Sequence, residues 1–90
     1  MPVTVEIPSP MRTLTDGQTF VTAEGVTVTS VLADLATRYP ALGAKMFVDG
    51  KLRQYINVTV NTEDVRFLDD LDTVVADGDN VELIVAVSGG

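Results

Sequence analysis

Residues 28–39 read Val-Thr-Ser-Val-Leu-Ala-Asp-Leu-Ala-Thr-Arg-Tyr, and their apolar side chains recur every three or four positions. Such spacing places a single apolar stripe on an α-helix, because a helix completes a turn in about 3.6 residues. Thr27 can cap the start of this helix, and Pro40 disfavours helical geometry in the residue before it. The stripe comprises Val28, Val31, Leu32, Leu35, Ala36 and Tyr39. The sequence therefore predicts a helix over 28–39.

A β-hairpin is predicted before this helix. Val3, Val5 and Ile7 alternate with polar residues or proline, which is the pattern of a strand with one buried face. Two prolines end that strand, and Asp16-Gly17 follows as a turn dipeptide. Residues 19–22, Thr-Phe-Val-Thr, have the composition of a second strand. We therefore expect two strands joined by an irregular connection.

The chain returns to strand patterns after the helix. Residues 41–53 contain two glycines and are predicted to form a loop, with a short helical turn at 44–47. Residues 54–60 then alternate between polar and apolar side chains, so this stretch is predicted to be a strand. Its inward positions are Ile56, Val58 and Val60.

Two turns and two further strands complete the predicted pattern. Residues 61–64, Asn-Thr-Glu-Asp, are predicted to form a turn that leads into a short strand at 65–67. Residues 77–80, Asp-Gly-Asp-Asn, form the last strong turn signal. The apolar run at 81–87 is typical of a strand in the middle of a sheet or covered on both faces.

This order of elements predicts an α+β roll, in which a mixed sheet of about five strands wraps around one main helix. Ninety residues correspond to one small domain, and a hydrophobic content of 46% favours a folded chain over a disordered one. We expect residues 1–87 to form the domain and residues 88–90, Ser-Gly-Gly, to form a flexible tail.

The composition excludes several kinds of active site. The chain has no cysteine and no histidine, so thiolate nucleophiles, imidazole bases and the common zinc ligand sets are absent. Its formal net charge of −7 opposes binding to nucleic acid or to an anionic membrane. Because the first residues lack the pattern of a secretion signal, we expect a cytoplasmic protein. The acidity serves either solubility or attraction to a basic partner protein.

The acidic residues of 69–79 suggest a calcium site, since calcium takes oxygen ligands, but their spacing does not match a calcium-binding loop. Pairs of carboxylates could act as general acid and base only in a pocket that separates their pKa values. A domain of this size is not expected to form such a pocket. We therefore predict no metal site and no catalytic site built from side chains.

The last two residues, Gly89 and Gly90, are a different kind of signal. Two glycines end a chain by chance in roughly one of 200 cases, so the pair alone is weak evidence. Glycine, however, fits narrow spaces and adopts backbone conformations closed to other residues, which suits a terminus that enters another protein's active site. An inert tail is the competing interpretation.

The chain resembles the β-grasp sulfur carriers related to ubiquitin, a family that includes the molybdopterin synthase small subunit and the thiamine thiazole carrier. It resembles most the actinobacterial carrier of cysteine biosynthesis. Many members have proline before the tail, where this chain has Val85, and the difference leaves the direction of the tail less constrained. The segments that carry the resemblance are residues 3–5, 7–8, 57–61, 63–67, 76–79 and 86–90.

The resemblance implies that Gly90 is the reacting group. A partner of the ubiquitin-activating type would use ATP to adenylate the Gly90 carboxylate, which a sulfur donor would convert to a thiocarboxylate, while Gly89 keeps the tail slim. The domain itself would bind no cofactor and would be a co-substrate rather than an enzyme. Further implied partners are a sulfur-acceptor enzyme, such as a cysteine synthase or the molybdopterin synthase large subunit, and a desulfurating metalloprotease.

Two other functions are compatible with the same residues. A ubiquitin-like modifier would join an adenylated Gly90 to lysine amines, and a plain β-grasp interaction module would have an inert tail. For docking on the activating enzyme, we expect an exposed apolar patch of Phe67 and Leu68 together with Ile56 and Val87. Residues 85–88, Val-Ala-Val-Ser, are expected to bind the partner as an extended strand.

Overall fold

The computed structural model describes residues 2–86. Within this range the chain forms two α-helices, seven strands and three short 3-10 segments. The strands are β1 Pro2–Glu6, β2 Phe20–Glu24, β3 Phe47–Val48, β4 Lys51–Leu52, β5 Ile56–Val60, β6 Glu63–Asp64 and β7 Asn80–Val85. The helices are α1 Val28–Arg38 and α2 Pro40–Met46, and the 3-10 segments are Ser9–Thr15, Val65–Phe67 and Asp70–Asp72.

Five strands form one mixed sheet in the order β2-β1-β7-β5-β6, and β3 pairs with β4 in a separate hairpin. β1 runs antiparallel to β2 and parallel to β7, while β5 runs antiparallel to both β7 and β6. The apolar strand β7 therefore lies in the middle of the sheet, which confirms the prediction made from its composition. The predicted first hairpin is also confirmed, with a 3-10 segment as its irregular connection.

Helix α1 packs its apolar stripe into the core. Val28, Val31, Leu32 and Leu35 are fully buried, as the periodicity predicted. Thr27 caps the helix, because its side chain accepts a hydrogen bond from the Ser30 backbone N–H, while the Ser30 side chain accepts one in return. The inward residues of the sheet pack against the same cluster and are Val3, Val5, Val21, Ala23, Ile56, Val58, Val60, Val81 and Leu83.

The prediction of a loop over 41–53 was wrong at both ends, because helix α2 begins at Pro40 and β3 and β4 form a hairpin after it. The predicted helical turn at 44–47 is confirmed for residues 44–46, which form the second half of α2. Pro40 ends one helix and starts the next, because proline disfavours helical geometry at Tyr39 but fits the first turn of a helix. Leu42 and Met46, one turn apart on the same face, are fully buried. Burial of these two side chains therefore stabilises the helix. The sequence of this short, glycine-containing stretch did not predict that burial.

The predicted short strand at 65–67 was also wrong. Asn61 and Thr62 adopt positive φ angles of 49° and 74°, which is the backbone of a two-residue hairpin turn. The returning strand therefore begins at Glu63, directly opposite Val60, and ends at Asp64. Residues 65–67 form a 3-10 segment instead, begun by the Asp64 carboxylate, which accepts a hydrogen bond from the Arg66 N–H.

Candidate functional site

The central strand β7 carries the chain toward its terminus. Val85 is the last residue of β7 and lies opposite Ile56, and the Ala86 N–H donates a 2.7 Å hydrogen bond to the Tyr55 carbonyl. Val85 and Ala86, the first residues of the predicted partner-binding stretch 85–88, are therefore attached to β5 along one edge. Val87, Ser88, Gly89 and Gly90 lie outside the described residues.

The other edge of β7 is open near its end. β1 pairs with β7 only as far as Glu6 and Glu82, after which the chain turns away and the Ile7 N–H bonds to the Thr19 carbonyl. A concave surface of about 340 Å³ lies there, lined by the 3-10 segment and by the last residues of β7. Arg12 is fixed at its wall, since its Nε donates to the Ile7 carbonyl at 3.0 Å. An extended segment of a partner could therefore pair with β7 on this side.

The face of the sheet away from α1 presents apolar and acidic side chains beside the strand end. Side chains alternate between the two faces of a sheet, so Glu6, Phe20, Glu82 and Ile84 point away from the buried core positions next to them. Phe20 is exposed, and Glu6 lies opposite both Phe20 and Glu82. We call these four residues the open-face patch. Sequence reasoning missed it, although the alternation around Phe20 was a usable signal.

The predicted docking residues fall into two groups. Phe67 is 83% exposed and Leu68 is 39% exposed, so both are accessible at the end of the second 3-10 segment. Ile56 is only 5% exposed, and its assignment to the docking patch was wrong. Its side chain points into the core because it shares the inward face of β5 with Val58. Val87 lies outside the described residues.

Ion pairs and hydrogen bonds organise the acidic surface near Phe67. The Arg66 guanidinium contacts the Asp64 carboxylate at 2.7 Å. The hydrogen bonds from the Arg66 side chain, and then from its backbone N–H, hold the pKa of Asp64 below its ordinary value. The pKa of Asp79 is lowered as well, first by the Ala76 backbone N–H and then by the Asn61 side chain. Both carboxylates are therefore stabilised in their charged form, and both accept backbone hydrogen bonds from nearby turns.

Within residues 2–86, no group of three or more histidine, cysteine, aspartate or glutamate side chains is placed so that it could hold a metal ion. The same range contains no helix long and apolar enough to cross a membrane. We take the end of β7 as the candidate functional site, together with two exposed surfaces, the open-face patch and the pair Phe67 and Leu68.

Comparison with known proteins gives consistent likenesses. The model of the ThiS family matches residues 5–90. Sulfur carrier protein CysO of Mycobacterium tuberculosis H37Rv is 43% identical over 93 residues, covering 100% of both chains. A chain of the Amycolatopsis orientalis BexX/CysO complex superimposes with a TM-score of 0.87 at 43% identity, covering 98% of this chain and 99% of that one.

A further likeness is to small archaeal modifier protein 1 of Methanosarcina acetivorans. Its solution structure matches with a TM-score of 0.87 at 30% identity, covering 99% of this chain and 96% of that one. These structures confirm the predicted β-grasp fold. The same overall fold is therefore found in a chain of the BexX/CysO complex and in a small archaeal modifier protein.

Proposed function

The chain belongs to the ThiS family, and we propose that it is a sulfur carrier whose Gly90 carboxylate becomes a thiocarboxylate. The observation that carries this proposal is the 43% identity, over the whole of both chains, to sulfur carrier protein CysO. The family match also runs through residue 90, so it includes the terminal glycine pair. The scarcity of catalytic side chains supports the role of a co-substrate over that of an enzyme.

The proposed chemistry takes place in the active site of an activating enzyme, which binds the ATP. An oxygen of the Gly90 carboxylate attacks the α-phosphorus of ATP, pyrophosphate leaves, and an acyl-adenylate forms. Hydrosulfide then attacks the acyl carbon and displaces AMP, so that one carboxylate oxygen departs with AMP and sulfur takes its place. If a persulfide attacks instead, a thiol must afterwards cleave the resulting acyl disulfide. The chain contributes only its carboxylate and the slim Gly89-Gly90 backbone.

The geometry at the end of β7 supports delivery of the terminus into a recessed site. Ala86 is hydrogen-bonded to Tyr55, and four residues of the sequence follow it. Four residues span at most about 14 Å when fully extended. The domain must therefore dock close to the mouth of the partner's active site. The surface of the domain around the end of β7 would then contact the partner directly.

We propose that docking uses Phe67, Leu68 and the open-face patch. Exposed apolar side chains rimmed by acidic groups are typical of protein-binding surfaces. The BexX/CysO complex supports the idea that a carrier of this shape docks on a second protein. As sulfur acceptor we propose a cysteine synthase, because the sequence most resembles the carrier of cysteine biosynthesis, with the molybdopterin synthase large subunit as the alternative. A desulfurating metalloprotease is a further proposed partner.

Intact mass spectrometry tests the proposed function. The protein is incubated with ATP, hydrosulfide and its activating enzyme, and the expected product has the mass that results when one oxygen is replaced by sulfur. Omission of ATP should prevent that change, since sulfur enters only by displacing AMP. A mass that stays unchanged with all components present would reject the carrier function and favour an inert interaction module.

A ubiquitin-like modifier is the second candidate, favoured by the likeness to small archaeal modifier protein 1. In that case a lysine amine, rather than sulfide, attacks the acyl-adenylate and forms an isopeptide bond. Proteolysis of cell protein would then release peptides bearing remnants of the chain's glycine-glycine terminus on lysine. Such remnants without any thiocarboxylate form of the protein would assign conjugation as the function.

Phe67→Ala is expected to weaken binding to the activating enzyme by about tenfold, because a large exposed aromatic side chain at an interface often dominates the affinity. Its stability should change by no more than about 0.5 kcal/mol, since the side chain is 83% exposed. Val26→Ala is the matched control, because it removes a 72% exposed side chain from the loop before α1. Equal affinities of both variants, measured by calorimetry, would remove Phe67 from the docking surface.

Raising the salt concentration is expected to weaken the same complex, because charge attraction between an acidic carrier and a basic surface is screened over about 8 Å at physiological ionic strength. Glu82→Gln should flatten this dependence, since Glu82 belongs to the open-face patch. Asp49→Asn, in the separate β3–β4 hairpin, removes the same charge outside the five-stranded sheet and should leave the dependence nearly unchanged. If the affinity for the activating enzyme does not vary with salt, the acidic residues serve solubility and not partner binding.

A further inference from the structure

The open edge at the end of β7 offers main-chain groups to a further strand. Because Ala86 donates its N–H to the Tyr55 carbonyl, the even-numbered residues of β7 direct their backbone groups to β5. The backbone groups of Leu83 and Val85 therefore point to the opposite side. β1 has turned away there, and Pro8 has no N–H with which to continue the pairing. Within residues 2–86, the Leu83 carbonyl and the Val85 N–H form no backbone hydrogen bond on that side.

Two carboxylates lie side by side next to this edge. Glu6 and Glu82 are paired across the neighbouring strands β1 and β7, whose backbones are about 4.8 Å apart, and both side chains point to the open face. Both residues are partly exposed, so a group from outside can reach them. Neither forms an ion pair with another residue of the described range. Like charges on neighbouring strands repel each other, so this pair lowers the stability of the chain unless a cation binds beside it.

Arg12 lines the same concave surface but does not neutralise the two carboxylates. Its Nε donates to the Ile7 carbonyl at 3.0 Å, and no ion pair of the described residues joins it to Glu6 or Glu82. Two carboxylates and one guanidinium leave the concave surface with an excess of negative charge. Its other lining residues are uncharged and mostly apolar, namely Pro8, Ser9, Pro10, Leu83, Ile84 and Val85. The surface is therefore complementary to an extended segment that is apolar and basic.

We propose that the end of β7 binds an extended segment of a partner protein that carries an arginine. The backbone of this segment would pair with Leu83 and Val85, in line with β1 and beyond its last residue. The arginine would lie beside Ile84 on the open face, where its guanidinium reaches both Glu6 and Glu82. Arginine fits this position better than lysine, because its planar group can donate hydrogen bonds to two carboxylates at once.

The partner is the protein that receives the chain's terminus, and this part of the inference rests on the proposed function. Val85 is followed by only five residues of the sequence, so a protein bound along Val85 lies close to the end of the chain. A second copy of this chain is the less suitable occupant. Pairing the β7 ends of two copies would bring the Glu6 and Glu82 carboxylates of both copies together, and their charges would repel.

Titration of the ¹⁵N-labelled full-length chain with two synthetic peptides tests the proposal. The probe is acetyl-Thr-Val-Arg-Val-Thr-amide, and its matched control has Gln in place of Arg. We expect the probe to shift the amide resonances of residues 83–85 and to slow the exchange of the Val85 N–H with water, which should be fast in the free protein. The Gln peptide should bind about fivefold more weakly, the upper range for a partly exposed ion pair. Equal binding of both peptides would overturn the proposal. So would slow exchange of the Val85 N–H without peptide, since the tail or a second copy would then occupy the edge.

Variants separate this site from a general attraction of basic peptides to an acidic protein. Glu82→Gln should reduce the preference for the Arg peptide from about fivefold to about twofold, whereas Asp49→Asn, which removes the same charge in the β3–β4 hairpin, should retain it. Glu6→Gln should unfold at a higher urea concentration than the parent, because it removes the repulsion from Glu82. An unchanged preference in Glu82→Gln, or a lower urea midpoint of Glu6→Gln, would contradict the proposal. Peptide binding needs neither Gly90 nor ATP, so the intact-mass experiment tests the carrier function separately.

Discussion

Deletion of Gly90 is expected to abolish adenylation and sulfur transfer while leaving the fold nearly unchanged. A carboxylate must approach the phosphorus of ATP to about 3 to 3.5 Å, and removing one residue withdraws the chain end by about 3.5 Å. Within residues 2–86, the buried apolar residues lie between Val3 and Leu83, and a terminal glycine has no side chain to bury. We therefore expect a stability change of no more than about 0.5 kcal/mol.

Intact mass after incubation with ATP, hydrosulfide and the activating enzyme measures this result, and thermal melting checks the fold. Addition of one residue after Gly90 should have the same effect, because it moves the carboxylate by a similar distance in the other direction. Gly89→Val keeps the length but widens and stiffens the chain, so it should react poorly. Accumulation of thiocarboxylate by the Gly90 deletion at the parental rate would contradict the assignment of Gly90 as the reacting group.

Gly25→Ala is expected to destabilise the protein by about 3 kcal/mol, the upper end of the usual effect of overpacking. A Cβ atom at Gly25 would lie 2.5 Å from the Ser30 Oγ and 2.6 Å from the Val31 backbone nitrogen. The Ser30 Oγ accepts hydrogen bonds from the N–H groups of Val26 and Thr27, which hold the start of α1. The substitution must therefore displace the first turn of the main helix.

Urea denaturation measures the effect, with Gly17→Ala as the control. Gly17 has a φ of 78°, and a Cβ atom there would meet no other atom within 4 Å. Alanine at this position therefore meets backbone strain alone, which amounts to about 1 kcal/mol. The comparison separates steric exclusion at Gly25 from the conformational preference at Gly17. Equal losses of stability in the two variants would show that the close approach of Gly25 to α1 is not the decisive factor.

The elements with long, regular patterns were predictable from sequence. The helix at Val28–Arg38 was found because its apolar spacing, its cap at Thr27 and its stop at Pro40 all agree. The central position of β7 was found because a largely apolar run is typical of a strand in the middle of a sheet, although its outward residues Glu82 and Ile84 are not buried. Short elements were not predictable. Helix α2 depends on burial of Leu42 and Met46 against the rest of the core, and this contact has no signature within seven residues.

The candidate site was predictable to a different extent in each of its parts. The proposal that Gly90 is the reactive terminus came from Gly89-Gly90 and from the resemblance to sulfur carriers, because the proposed chemistry needs only the end of the chain. The docking residues were harder to assign, since Phe67 and Ile56 are both large apolar residues in the sequence. Only their positions distinguish them, because Ile56 shares the inward face of β5 and Phe67 lies on an exposed 3-10 segment.

The sequence by itself determined the fold class, the main helix and the central strand, because each depends on a local pattern or on a family resemblance. The tertiary structure decided which side chains face solvent, how β5 and β7 are paired and how closely Gly25 approaches α1. Such features arise where segments distant in sequence meet, since strand register and helix packing fix the neighbours of each side chain.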